Sequence, residues 1–221
     1  MLIAPSILNA DNLRLAEGIS QAVKAGIRRF HIDIMDGHFV SNLSYGPQLV
    51  SDFKKEFPKI EAEVHLMSNN LDVMIPAFVE AGCDLLEFHY EAATPDQVCK
   101  WLTYLKEHNV KAGLALNPDT DLEVLNDYAD RLDQVLLMTV FPGFGGQKFI
   151  PESPARITAA RDLLSVACPK HVPLEVDGGI NGDTAALAKN AGAEIFVAGS
   201  YIFGNGSIAG QVNRLNELLE E

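Results

Sequence analysis

The 221-residue sequence predicts an α/β protein, a single-domain (β/α)8 TIM barrel over residues 1–221, on three observations. Eight short β-branched or apolar runs alternate with eight amphipathic stretches, at the spacing of βα units whose strands lie parallel. Three junctions, "KAGIRRFHI", "EAGCDLLEF" and "NAGAEIFVA", repeat one pattern: a glycine (Gly26, Gly82, Gly192) closes a helix and a strand starts a few residues on. No low-complexity segment or shift of composition divides the chain, and eight such units close naturally on themselves. A doubly wound open sheet is the rival arrangement.

In order, the strands are expected where apolar and β-branched residues cluster, and the helices where apolar residues recur at helical spacing. Leu2 to Ile7 pairs with a helix over Asp11 to Lys24, and Arg29 to Met35 with Gly46 to Glu56. Ile60 to Leu66 precedes Leu71 to Glu80, and Asp84 to His89 precedes Thr94 to His108. Val110 to Leu116 is followed by a short helical pattern, Asp121 to Asp127, and Gln134 to Val140 by Glu152 to Ser165. Val172 to Asp177 with Gly182 to Asn190, and Glu194 to Gly199 with Ser207 to Glu220, complete the eight units.

Seventeen basic against thirty acidic residues give a net charge of −13. That charge argues against an electrostatic grip on nucleic acid or on an anionic membrane, and an anionic ligand would need a local device. Cys83, Cys99 and Cys168 match neither a disulfide framework nor a zinc-finger spacing and are expected to be buried free thiols of a cytoplasmic protein. "MLIAPSILNAD" does not read as a signal peptide, and no apolar run is long enough to span a bilayer.

Side chains alternate across a strand, so in "RRFHIDIMDGHF" Phe30, Ile32 and Ile34 share one face while His31, Asp33 and Met35 share the other. The same arithmetic aligns Glu63, His65 and Met67 in "AEVHLM", and Glu175 with Asp177 in "PLEVDGG". All fall toward the carboxyl ends of their strands, where barrel chemistry is built. Carboxylates buried there need partners or a cation. Two imidazoles and two carboxylates at one mouth suit a borderline divalent ion such as zinc or iron; hydrogen-bonded polar groups of the barrel interior are the alternative.

Glycines form a second constellation. "PGFGG" (Pro142 to Gly146) follows the sixth strand, "DGGI" (Asp177 to Ile180) the seventh and "AGS" (Ala198 to Ser200) the eighth. Such loops let backbone N–H groups approach an anion, and those after strands seven and eight commonly seat phosphate. Tight turns are the plainer explanation for any one of them. Among smaller candidates, Met35, Met67 and Met138 fall at strand ends as core filling or as an apolar lid, and Asp36 is a loop cap. Ser6 is a strand polar group or a substrate contact, while His89 and Glu91 either shape the site or face solvent. His38, His108 and His171 read as surface histidines.

The segments "APSILNAD", "FHIDIMDGHFV", "VHLM", "LNP", "MTVFPGFGGQKFIP", "EVDGGIN" and "VAGSYIF", between residues 4 and 203, resemble the ribulose-phosphate 3-epimerase family in order and spacing. The resemblance implies a ribulose-phosphate-binding barrel that interconverts D-ribulose 5-phosphate and D-xylulose 5-phosphate through an enediolate. It makes His31, Asp33, His65 and Asp177 ligands of one divalent ion, zinc or iron, with manganese or cobalt as alternatives. Asp33 and Asp177 are also its proton-transfer groups. It assigns Ser6, His65, Gly143, Phe144, Gly145, Gly146, Gly178, Gly179, Gly199 and Ser200 to the sugar phosphate, and Met35, Met67 and Met138 to the pocket lining. It further implies a cytoplasmic homo-oligomer.

Three positions depart from the family pattern: Phe141 where Asn or Asp is usual before "PGFGG", Ser41 in place of the proline of "HFVPN", and Tyr45 before "GP". They leave open a D-allulose 6-phosphate substrate, or a sugar-phosphate-binding relative without turnover. Related lyases carry Asp-x-Lys-x-x-Asp on a strand end; Met35 stands here in place of the lysine, which counts against that class.

Overall fold

The computed structural model of the protein describes residues 1–204 and 206–220. Eight parallel strands, β1 (Leu2–Ala4), β2 (Arg29–Met35), β3 (Glu61–Met67), β4 (Leu85–His89), β5 (Lys111–Leu116), β6 (Gln134–Met138), β7 (Leu174–Asp177) and β8 (Ile195–Val197), lie in the order β1-β8-β7-β6-β5-β4-β3-β2. The two ends of this sheet meet, because the His31 N–H donates to the Pro5 carbonyl at 3.1 Å and Ser6 bridges His31 in parallel register. The result is a (β/α)8 barrel. Its helices are α1 (Leu15–Lys24), α2 (Pro47–Glu56), α3 (Leu71–Glu80), α4 (Pro95–Glu107), α5 (Ser153–Ala167), α6 (Gly182–Ala191), α7 (Ser200–Phe203) and α8 (Ile208–Glu220). Among the described residues no helix is long and apolar enough to cross a membrane.

Strand alternation sorts the two faces of the barrel wall. Phe30, Ile32 and Ile34 point outward into the main apolar core with Phe53 of α2 and Phe78 of α3. The Phe30 and Phe53 rings meet edge-on, their centroids 5.8 Å apart. Each such side chain, fully buried, contributes about 1.5–3 kcal/mol. The inward face is left for polar residues, held in register from β2 to β3 by the pairs His31 with Glu63 and Asp33 with His65. Gly26, Gly82 and Gly192 close helices with φ of 108°, 90° and 116°, which a side chain would oppose. Capping boxes at Thr94 and Asn181 start α4 and α6.

The structure departs from the sequence expectations mostly at ends. The first strand stops at Ala4 rather than Ile7, since Pro5 has no N–H for the ladder and the Ser6 hydroxyl accepts from Leu8 N–H to start a 3-10 turn, Ile7–Asn9. The sixth strand ends at Met138 and the eighth is only Ile195–Val197. The stretch expected as a helix over Asp121 to Asp127 is a 3-10 segment, Leu122–Asp127, which buries only Leu125 and so has no apolar face to hold a longer helix. The short helix α7 lies in a stretch with no helical expectation. Cys83 and Cys168 are buried free thiols, but Cys99 is exposed on α4.

Candidate active site

At the carboxyl end of the barrel, β2, β3 and β7 bring four donor atoms together. His31 Nε2 lies 3.1 Å from His65 Nδ1 and 3.5 Å from Asp33 Oδ1, and His65 Nδ1 lies 3.2 Å from that same oxygen. Asp177 Oδ2 completes the set, 3.9 Å from His31 Nε2 and 3.8 Å from His65 Nδ1. Ligands of a tetrahedral ion with bonds of about 2.0–2.1 Å sit about 3.3 Å apart, inside the spread seen here. Two nitrogens and two oxygens are a borderline donor set. The residues present therefore fit a divalent ion.

Each member is oriented by its neighbours. The Ser6 hydroxyl donates to Asp33 Oδ2 at 2.5 Å, and His31 Nδ1 donates to Glu63 Oε1 at 2.7 Å. Glu63 Oε2 also accepts from Arg29 Nη1 at 2.9 Å. Deeper in the barrel the Gln134 amide donates to Glu87 Oε2 at 2.9 Å and Glu175 Oε2 at 2.6 Å. Gly113 makes this tier possible, because a Cβ there would lie 2.6 Å from Cβ of Glu87. Donors of His31, Glu63, Glu87 and Glu175 also converge, but the 2.7 Å from His31 to Glu63 is a hydrogen-bond distance, well inside the about 3.3 Å edge of a tetrahedral ion. This lower tier is a hydrogen-bonded acid cluster.

The local fields differ sharply between the two tiers. Burial opposes charge on His31, yet the Asp33 and Glu63 carboxylates outweigh it and hold the imidazole well above its usual range. Burial likewise opposes charge on Asp33, but His31 and His65 keep that carboxyl far below the ordinary carboxylate range. Burial and the neighbouring Asp33 push Asp177 up to about 7, and burial pushes His65 down to about 4. Burial, reinforced by Glu63, raises Glu87 to about 8 and Glu175 well above the carboxylate range.

Above the donors lies a cleft. Ser6, Asp33 and Asp177 reach it, Met35, Met67 and Met138 line it, and so do Gly143 to Gly146 with Phe144, Gly178, Gly179, Gly199 and Ser200. His31 and His65 are fully buried below its floor. Asp36 is a loop cap, accepting from His38 N–H, Phe39 N–H and the Ser68 hydroxyl at 2.8, 3.0 and 2.6 Å. His38, His108 and His171 are exposed. Phe141, Ser41 and Tyr45 are absent from the lining; Phe141 is 53% exposed and the Tyr45 hydroxyl donates to the Ile7 carbonyl at 3.2 Å.

Sequence reasoning passed over Asn9 and Glu87. Asn9 lines the cleft, and its amide fills the room beside Gly145, where a Cβ would lie 2.6 Å from it. A cleft-side asparagine in "APSILNAD" is visible as a signal only once those glycines are known to face it. His89 is fully buried and joins the site through His65, which excludes the solvent-facing alternative.

Barrels of this kind do their chemistry at the carboxyl ends of the strands, and the acid, base and imidazole groups gathered there make the molecule a (β/α)8 enzyme by class. The description of the ribulose-phosphate 3 epimerase family matches residues 2–203. The chain is 44% identical over 202 residues to ribulose-phosphate 3-epimerase of Bacillus subtilis (strain 168), covering 91% of this chain and 92% of that one. It is 42% identical to the enzyme of the same description from Escherichia coli (strain K12), covering 91% and 88%. The chain belongs to the ribulose-phosphate 3-epimerase family and is an epimerase. By structure it is similar to 3-hexulose-6-phosphate synthase from Salmonella typhimurium, with a TM-score of 0.75 over 100% of this chain and 99% of that one; at 14% identity this is a likeness of fold.

Proposed function

We propose that the protein interconverts D-ribulose 5-phosphate and D-xylulose 5-phosphate, with Asp33 and Asp177 moving the proton at C3 beside one divalent ion held by His31, Asp33, His65 and Asp177. The observation that carries this reading is the convergence of those four donors at the floor of a glycine- and methionine-lined cleft. The substrate is supported by the printed names of the epimerases that this chain is similar to.

The C3 hydrogen is acidic because C2 is a carbonyl. Inversion requires its removal from one face and the return of a proton to the other, which takes two groups. Asp33 and Asp177 come from β2 and β7 and approach the cleft from different parts of the wall. One receives the proton, the other delivers one, and the roles exchange in the reverse reaction. A bound ion, zinc or iron by the donor set, would stabilise the negative charge developing on the C2 and C3 oxygens as a Lewis acid. Ser6 fixes the rotation of the Asp33 carboxylate through its 2.5 Å hydrogen bond. Met35, Met67 and Met138 bring no exchangeable proton to the cleft and exclude water from the enediolate. The N–H groups of Gly143 to Gly146, Gly178, Gly179, Gly199 and Ser200 are assigned to the phosphate end.

The five-carbon reading is supported by Phe141, Ser41 and Tyr45 lying off the cleft lining, so that none of these three departures from the family pattern is a lining side chain. A cytoplasmic location is part of this reading, supported by the three free thiols, and so is a homo-oligomer, which light scattering would test. The central test is NMR of metal-loaded protein with D-ribulose 5-phosphate in deuterium oxide. Deuterium at C3 and formation of D-xylulose 5-phosphate are expected. Loaded protein giving neither would sink the proposal, and D-allulose 6-phosphate run alongside would reassign the substrate if it turned over faster.

A further inference from the structure

His65 is fully buried, and its two ring nitrogens face different company. Nδ1 looks into the donor cluster, while Nε2 lies 2.9 Å from His89 Nε2. Two imidazole nitrogens at that separation need one proton between them, since two lone pairs or two N–H groups would repel. The other side of His89 decides which nitrogen carries it. His89 Nδ1 lies 3.0 Å from Glu91 Oε2, and a carboxylate only accepts, so the tautomer that satisfies this contact carries its proton on Nδ1. Its Nε2 then offers a lone pair and accepts from His65 Nε2–H. That leaves the lone pair of His65 Nδ1 facing His31 Nε2 at 3.1 Å and Asp33 Oδ1 at 3.2 Å, a set of facing lone pairs that a cation between them would satisfy.

Glu91 is held to this task. Its Oε1 accepts from Asn117 N–H at 2.8 Å and from the Thr120 hydroxyl. Arg156 of α5 pins the carbonyls of Asn117 and Thr120 at 2.9 and 2.5 Å, so the loop carrying those donors is itself fixed. The Phe39 ring lies against His89, with centroids 4.8 Å apart, and limits its rotation. Strand register supplies the rest. His65 pairs with Glu87, which puts His89 one inward step further along β4 than that pair, at the carboxyl end of the strand.

We propose that His89 and Glu91 are positioning residues for the metal ligand His65: the chain Glu91, His89, His65 fixes the tautomer that presents Nδ1 to the ion. The inference rests on the metal centre proposed above. Outer partners of this kind typically change metal affinity by about 10–100-fold. His89→Gln and Glu91→Gln, compared with the unaltered protein, are to be stripped with a chelator and titrated with zinc against a fluorescent competitor. Cobalt absorption then reads the coordination of the ion directly. Both variants are expected to bind zinc about 10–100-fold more weakly and to shift the cobalt bands, with KM for D-ribulose 5-phosphate at saturating metal changed less than about twofold. If His89→Gln fails to fold, Glu91→Gln decides alone, because that side chain keeps 23% exposure and its replacement preserves shape. Zinc affinity equal to that of the unaltered protein would overturn the positioning role. An unaltered protein that bound no zinc or cobalt would overturn the metal centre and this inference with it.

Discussion

Replacing Glu63 by glutamine removes the group on which both tiers of the barrel interior depend. Its carboxylate is fully buried and accepts twice, from His31 Nδ1 at 2.7 Å and from Arg29 Nη1 at 2.9 Å. Glutamine keeps one acceptor and puts an NH2 where the other was, so His31 or Arg29 meets a second donor inside the barrel. A hydrogen bond to a charged group contributes about 1.5–3 kcal/mol, and a buried donor left unpaired costs about 1–3 kcal/mol. One effect reduces the loss: Arg29 keeps Glu61 at 2.7 Å and Gln134 at 2.8 Å. The expected net loss is about 3 kcal/mol, near the low end for breaking a buried ion pair. With a urea slope of about 3 kcal/mol/M for a chain of this size, the unfolding midpoint of the metal-free protein falls by about 1 M. Zinc affinity falls about tenfold as well, since His31 loses its charged acceptor. A midpoint lowered by less than about 0.3 M with zinc affinity unchanged would refute this account of how His31 is held.

Asp177→Asn should lower kcat by about 10²–10⁴ while changing stability by less than about 1 kcal/mol. Burial and Asp33 already disfavour the Asp177 charge, so removing it relieves the fold; normal turnover would mean the two-carboxylate mechanism is wrong. Gly178→Ala places a Cβ 2.5 Å from Val140 Cγ2 and 2.8 Å from its backbone nitrogen, at a φ of 125°. The loop after β7 must shift, with a loss of about 1–3 kcal/mol and a rise in KM for the sugar phosphate larger than the fall in kcat. An unchanged KM would separate that loop from the phosphate.

Much of this was legible because strand chemistry has a period of two. In "FHIDIM" the interleaving of Phe30, Ile32 and Ile34 with His31, Asp33 and Met35 told wall from interior, and the structure keeps that division. The glycine closers at Gly26, Gly82 and Gly192 were readable for a similar reason, since their conformation is local. What escaped depends on residues distant in sequence. Glu87 looks unremarkable in "LLEFH" until Gly113 on the next strand leaves room for it and Gln134 donates to it. His89 reads as a strand end until His65 and Glu91 meet its two nitrogens. Cys99 was expected to be buried, yet it falls on the outer side of α4, away from the buried Val98, Trp101, Leu102 and Leu105.

The net charge of −13 fits the cleft better than it first suggests. Among the described residues no lysine or arginine lines it, so a phosphate seated there would be held by backbone N–H groups of the glycine loops. A nearby ammonium would attract the anion, but it would also attract Asp33 and Asp177. At about 4 Å and an effective dielectric of about 20 that attraction is about 4 kcal/mol, enough to compete with a cation for the same oxygens. Glycine N–H groups carry partial charge without titrating, so they form no ion pair with the carboxylates. Met35 makes the same point from the strand. It stands two residues beyond Asp33 on the inward face, buried against Met67, where a lysine would pair with the carboxylate. Keeping cationic side chains out of the cleft leaves both carboxylates free to bind an ion and to exchange a proton with substrate.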